Sequence, residues 1–153
     1  MVNKMTSDKI SHLLHQLYAA FEKQDVEALR AVVTEDWQDL PPAPTQTPGP
    51  DGVAPVFAML SNAFDSFKVI VDDVLVDGDR VGVRARMNGV HVGSLFGVEG
   101  RQARFSIALH EFHEIRDGRI ARTYHLEDWL AFFTQVEAFP GSPMIENPSK
   151  HGV

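Results

Sequence analysis

Near Phe64 the apolar residues of this chain change their period, and no other feature restricts the fold as much. Before that point they recur every three or four residues; beyond it they alternate. Between Ser7 and Lys23, the residues Ile10, Leu13, Leu14, Leu17, Tyr18 and Phe21 make one stripe of a helix, with Ser7 or Asp8 able to cap it. "DVEALRAVV" predicts a second, shorter helix with Asp25 as N-cap, and "DWQDL" a short strand. "PPAPTQTPGP" is too rich in proline for regular structure and predicts a loop over the rim of the fold. A third helix is expected from Asp51, as its cap, to about Phe64, with Val53, Val56, Phe57 and Leu60 buried and Pro55 in the first turn.

Beyond the switch, "FKVIVDDVLVDGDRVGVRARM" predicts two strands around Asp77-Gly78, with Val81, Val83, Ala85 and Met87 alternating against Arg80, Gly82, Arg84 and Arg86. A long strand from about Gln102 to Arg116 turns at Asp117-Gly118 into a last strand ending near Leu126, and "EDWLAFFTQVE" closes with a short amphipathic helix. Helices followed by strands predict an α+β domain: a cone-shaped, curved antiparallel sheet with the three helices of the N-terminal half packed on one face. The cleft between the layers is the expected place for a small molecule. Residues 1–137 are assigned to this domain and 138–153, rich in Pro, Gly and Ser, to a tail expected to be mobile.

Composition removes several function classes. The chain has 153 residues and no cysteine, so disulfides, thiolate nucleophiles and thiolate metal sites are excluded. A net charge of −7, with the basic residues scattered, argues against nucleic-acid binding. No apolar run is long enough for a membrane span, and "MVNKMTSDKISHLL" lacks the apolar block of a signal peptide. A cytoplasmic location is expected.

"LHEFHEIRDGRIARTYHLEDW" carries three of the seven histidines around one Asp-Gly turn. With a two-residue loop, Arg116 pairs with Arg119 and counting along the ladder sets the register. Ile115 then faces Ile120, His113 faces Arg122, Glu111 faces Tyr124 and His110 faces His125. Two opposed, partly buried histidines would titrate jointly, which suits general acid–base work. A single β-bulge beside the turn would change which groups share a face. Asp128 is a second candidate acid or base, and also a natural N-cap for the last helix. Glu111, Tyr124, His91, Trp37 and Phe57 are the candidate ligand contacts, although the aromatic residues serve equally as core. His110, His113, His125 and Glu111 are metal-ligand types, but strand spacing sends neighbours to opposite faces, so no metal site is expected.

Three stretches, "GPDGVAPVFAMLSNAF", "VDDVLVDGDRVGVRARMNGVHVGSLFG" and "HEIRDGRIARTYHLEDWLAFFTQV", together resemble the SnoaL-like polyketide cyclases of the nuclear-transport-factor-2-like superfamily. The resemblance runs from about Ile10 to Val136. It implies a cone-shaped α+β barrel, a deep apolar pocket and a homodimer. It also implies cofactor-free ring closure by an intramolecular aldol reaction on an apolar carbonyl compound. His110 best matches the family's histidine on the penultimate strand, and His125 stands where the family has its acid/base aspartate, with Asp128 the nearest carboxylate. The function expected is therefore acid–base chemistry with His125 or Asp128 as base and His110 as donor. Two alternatives are a non-catalytic ligand-binding or dimeric scaffold protein, and an epoxide hydrolase built on Glu111, Arg122 and Asp128.

Overall fold

The computed structural model describes residues 5–141. Helix α1 (Ser7–Lys23) has the predicted bounds, but Thr6 caps it: its hydroxyl accepts from the Lys9 amide. Asp25 caps α2 (Val26–Val32) as expected, accepting from the Ala28 amide at 3.0 Å. Strand β1 (Val33–Leu40) is longer than "DWQDL", beginning as soon as α2 ends. A 3-10 turn, Pro50–Val53, leads into α3 (Ala54–Ala63). Asp51 is not the cap expected there; it lies in that turn and pairs with Arg30 of α2.

Strands β2 (Phe64–Asp77), β3 (Arg80–His91), β4 (Ala103–Arg116) and β5 (Arg119–Glu127) follow, and α4 (Trp129–Gln135) closes the order. Asp77 pairs with Arg80, so the β2–β3 turn is Gly78-Asp79, one residue beyond the predicted pair. The order across the sheet is β1-β5-β4-β3-β2, and the sheet is curved and unclosed. It is mixed rather than wholly antiparallel, because β1 runs parallel to β5. No hairpin joins those two strands, so turn chemistry does not set their relative direction.

Alternation sorts the sheet as predicted along β3: Val81, Val83, Ala85 and Met87 are buried, while Arg80, Arg84 and Arg86 point outward. With Phe105, Ile107 and Leu109 of β4 they meet Leu13, Leu14, Leu17, Phe57 and Leu60 of the helices. Among the described residues no helix is long and apolar enough to cross a membrane. The proposed tail lies outside the described residues beyond 141.

The β4–β5 hairpin departs from simple counting within three residues of its turn. Asp117 and Gly118 both have positive φ, 52° and 76°, the two-residue turn that matches strand twist. Arg116 pairs with Arg119 and Ile115 with Ile120. A bulge then gives β5 one extra residue, and Glu114 pairs with Arg122, His113 with Thr123, Glu111 with His125 and His110 with Leu126. The expected His110–His125 pair does not form. Because side chains alternate, the shift exchanges the two faces of β5. Thr123, His125 and Glu127 turn inward beside Glu111 and His113; Arg122, Tyr124 and Leu126 turn outward.

Candidate active site

The concave side of the sheet and the helices enclose a cavity of about 300 Å³. Its walls are mostly apolar: Leu17 and Phe21 of α1, Met59 and Leu60 of α3, and Phe67, Val69, Met87 and Leu109 of the sheet. Pro41, Pro42, Ala43, Pro44 and Gln46 of the proline-rich loop close one side, with Phe96 and Trp129 contributing another part of the rim. The polar groups are Tyr18, Asp39, Glu111, Thr123, His125 and Glu127.

Glu111 is held by a chain of hydrogen bonds that runs back into the core. Tyr18 donates its hydroxyl to Glu111 Oε2 at 2.5 Å, and His113 Nε2 lies 3.2 Å from the same oxygen. Behind the ring, His113 Nδ1 is 3.1 Å from Thr123 Oγ1, which accepts from Trp37 Nε1, also at 3.1 Å. Trp37 can only donate, so the threonine hydrogen is free to be donated to His113 Nδ1. That network assigns the His113 proton to Nε2, facing Glu111. Burial alone would raise the Glu111 pKa, but the hydrogen bonds from His113 and Tyr18 and the charge of His125 outweigh it and hold the pKa below the ordinary value. Burial, and the Glu111 charge beside it, push the Tyr18 phenol well above its usual range. Glu111 Oε1 takes no hydrogen bond among the described residues and is not sealed in the interior. It is the atom a ligand can reach.

His125 stands directly across the ladder from Glu111 and has acceptors at both ring nitrogens. Nδ1 is 2.8 Å from Glu127 Oε1, and Nε2 is 3.0 Å from the Pro41 carbonyl, with Asp39 Oδ1 at 3.6 Å. A carboxylate and a carbonyl cannot donate, so only the imidazolium satisfies both contacts. Desolvation would lower its pKa, yet the Glu127 bond and the charges of Asp39, Glu127 and Glu111 raise it to about 9. For Asp39 the balance goes the other way: burial raises its pKa, and His125 and a 3.0 Å bond from Gln46 Nε2 oppose that only in part.

Of the residues expected at the site, Glu111, His125 and Trp37 line the cavity together. His110 is exposed on the outer face of the sheet, opposite Leu126. Tyr124 is on that face too, displaced by the bulge. Asp128 caps α4, accepting from the Ala131 amide at 2.9 Å, and does not line the cavity. Phe57 is core, edge-on to Phe21 with ring centres 5.2 Å apart. His91 is buried against Phe64 and Phe132, and neither ring nitrogen has a hydrogen-bond partner. Arg122 faces outward to Glu114 and Gln38, so the Glu111–Arg122–Asp128 arrangement needed for an epoxide hydrolase does not form. No group of three or more His, Cys, Asp or Glu side chains that could hold a metal ion occurs among the described residues.

Tyr18, Asp39 and Glu127 are additions that reading for histidine density passed over. Two of them left a trace: a tyrosine within an apolar stripe needs a partner for its hydroxyl. Asp39 shares a strand face with buried Trp37 two residues before it.

The family model described as SnoaL-like polyketide cyclase matches residues 12–136. The chain belongs to the SnoaL-like polyketide cyclase family. Solved structures agree at the level of fold. TsrD from Streptomyces laurentii superposes with a TM-score of 0.80 at 23% identity, over 89% of this SnoaL-like chain and 100% of that one. IdmH from Streptomyces antibioticus, described as a candidate polyketide cyclase, gives 0.72 at 25% identity over 84% and 98% of the two chains. AclR from Streptomyces galilaeus, described as a candidate hydroxylase, gives 0.73 at 17% over 88% and 100%. No curated protein matches the sequence.

Proposed function

We propose that this SnoaL-like protein is a cytoplasmic, cofactor-independent enzyme that uses side chains as acid and base on an apolar carbonyl compound, closing a ring by an aldol step or moving a double bond. The observation that carries the reading is the Glu111–His125 pair: an ionised carboxylate with one free oxygen and an imidazolium, directly opposed on the wall of one apolar cavity. The polyketide cyclase description of the family and of IdmH supports the same reaction class.

In this mechanism Glu111 Oε1 takes a proton from the carbon next to the substrate carbonyl, and the electron pair moves onto the carbonyl oxygen. The Nε2 hydrogen of His125 leaves the Pro41 carbonyl and is donated to that oxygen. The enolate then attacks a second carbonyl of the same molecule, forming a carbon–carbon bond as the first carbonyl is restored, and the proton held by Glu111 is given to the new alkoxide. A donor aimed at the developing oxyanion contributes about 3 kcal/mol, and a positioned base about 10²- to 10⁴-fold in rate. Apolar walls exclude water and strengthen both effects. The base is thus Glu111 rather than His125 or Asp128, and the donor His125 rather than His110.

The outer face of the sheet supports a homodimer. Leu75, Phe112, Tyr124 and Leu126 are exposed there, and acidic and basic groups such as Glu114 and Arg84 lie on the same face, as self-complementary packing requires.

The catalytic reading is tested by deuterium uptake next to the carbonyl of polycyclic ketones in heavy water, followed by NMR. The wild type is expected to accelerate uptake and Glu111→Gln to lose that acceleration. Bound ketones that exchange no faster than in buffer would refute it and leave the ligand-binding alternative.

A further inference from the structure

The hydrogen-bonding atoms left over around the cavity are unbalanced. Glu111 Oε2 is occupied by Tyr18 and His113, Glu127 Oε1 by His125, and Asp39 Oδ2 by Gln46. The other oxygen of each carboxylate has no hydrogen-bond partner among the described residues, and none of the three is sealed from contact. Asp39 is the most enclosed, its side chain 9% exposed, and its Oδ1 lies 3.6 Å from His125 Nε2, beyond hydrogen-bonding distance. The donors on the same wall are already committed: His125 Nδ1–H to Glu127, its Nε2–H to Pro41 until the substrate carbonyl takes it, the Tyr18 hydroxyl to Glu111 and the Trp37 indole to Thr123. What remains is neutral, the Trp129 indole N–H and one hydrogen of Gln46 Nε2.

Three carboxylates therefore face a single imidazolium, and no lysine or arginine among the described residues lines the cavity. A buried carboxylate is costly unless a donor or a cation meets it. A ligand that displaces water from these oxygens must return the hydrogen bonds it takes away. A hydroxyl returns one of them; an ammonium group returns several and balances the charge. A carboxylate on the ligand returns none and adds a fourth negative charge where no free cation can receive it.

We propose that the substrate carries a protonated amine beside its carbonyl group, bound by Asp39 Oδ1 and Glu127 Oε2, and that these two residues exclude carboxylated analogues. The inference rests on the cavity being the reaction site. Glu111 Oε1 then remains free for the proton next to the carbonyl. Discrimination comes as much from what is refused as from what is held.

The test is isothermal titration with naphthyl ketones that differ only at the end of one side chain: protonated amine, hydroxyl, methyl or carboxylate. The amine is expected to bind at least about tenfold more tightly than the methyl compound, and the carboxylate not measurably. Glu127→Gln and Asp39→Asn each replace a free acceptor with a donor, and each should cut the amine preference, the ratio of amine to methyl-ketone affinity, by about tenfold. The proposal is overturned by equal binding of amine and methyl compounds, by a hydroxyl as effective as the amine, by tight carboxylate binding, or by no binding across the series. An amine preference that survives in both folded variants also overturns it. Binding and exchange separate the two readings. Amine preference without deuterium uptake removes the enzyme and keeps the specificity; uptake without amine preference does the reverse.

Discussion

Replacing His125 with Gln should flatten the pH dependence of stability in one defined window. In the folded protein the ring is protonated because both its nitrogens face acceptors, Glu127 Oε1 at 2.8 Å and the Pro41 carbonyl at 3.0 Å. The folded pKa is raised to about 9 from 6.5. A raised pKa means the folded state holds its proton more tightly than the unfolded chain. The stability this contributes is complete below about pH 6.5 and disappears as pH rises through about 9. The full shift corresponds to about 3 kcal/mol, and solvent screening of a partly exposed ring reduces this to about 2. For a domain of this size that is a fall of roughly 6 °C in melting temperature. Thermal unfolding followed by circular dichroism across this range should show the fall in the wild type. His125→Gln should start about 2 kcal/mol lower at the acid end and converge with the wild type above the upper pKa. The ring signals of His125 in NMR should titrate with a midpoint near 9. A midpoint below neutrality, or parallel stability curves for the two proteins, would refute the imidazolium and with it the proposed donor.

Other perturbations read other parts of the same arrangement. Glu111→Gln should lower deuterium uptake by about 10²-fold or more with the fold intact; full uptake in a folded variant would remove Glu111 as base. His113→Phe, measured the same way, should raise the Glu111 pKa and move the pH profile of exchange upward, since it removes the donor that opposes burial; an unmoved profile would make His113 merely packing. His91→Leu should stabilise the protein by about 1 kcal/mol at mildly acidic pH, because it removes two ring nitrogens without partners. Burial lowers the His91 pKa, so its penalty appears as pH falls below the unfolded value of 6.5, and chemical denaturation at two pH values would show it. Leu126→Glu on the outer sheet face should convert the proposed dimer to monomer in sedimentation experiments; a wild-type monomer would end that proposal.

The elements were legible because their signals are local. The stripe from Ile10 to Phe21 and the alternation from Val81 to Met87 need no knowledge of the rest of the chain, and the structure has a helix and a strand there. The site was legible only in its inventory. Glu111, His125 and Trp37 were identified as residue types with chemistry to offer, but what each faces depends on one unpaired residue in β5. Hydrophobic pattern gave no warning, since Ile120 and Ala121 are both buried and either could begin the alternation. The parallel pairing of β1 was equally hidden, because it joins Trp37 and Asp39 to a strand more than 80 residues away through no turn of their own.

That bulge explains why the proposed acid and base are a histidine and a carboxylate rather than two histidines. Without it, Tyr124 would stand opposite Glu111 on the cavity wall and His125 would lie outside beside His110. With it, Thr123 meets His113 and His125 meets Glu111, so one inserted residue assembles both the relay behind the carboxylate and the cation across from it. The two groups then set each other's ionisation. His125 helps to keep Glu111 charged, and Glu111, with Asp39 and Glu127, keeps His125 protonated. A deletion of Ala121 closes the bulge without changing the register beyond it, so Glu111 and His125 should stay opposed and deuterium uptake should persist, with the Asp117-Gly118 turn and the Ile115–Ile120 pair in place. Cross-strand NMR contacts in the folded variant would establish that register. Uptake lost in a folded variant that keeps the Glu111–His125 pairing would show that this pair is not what carries the chemistry.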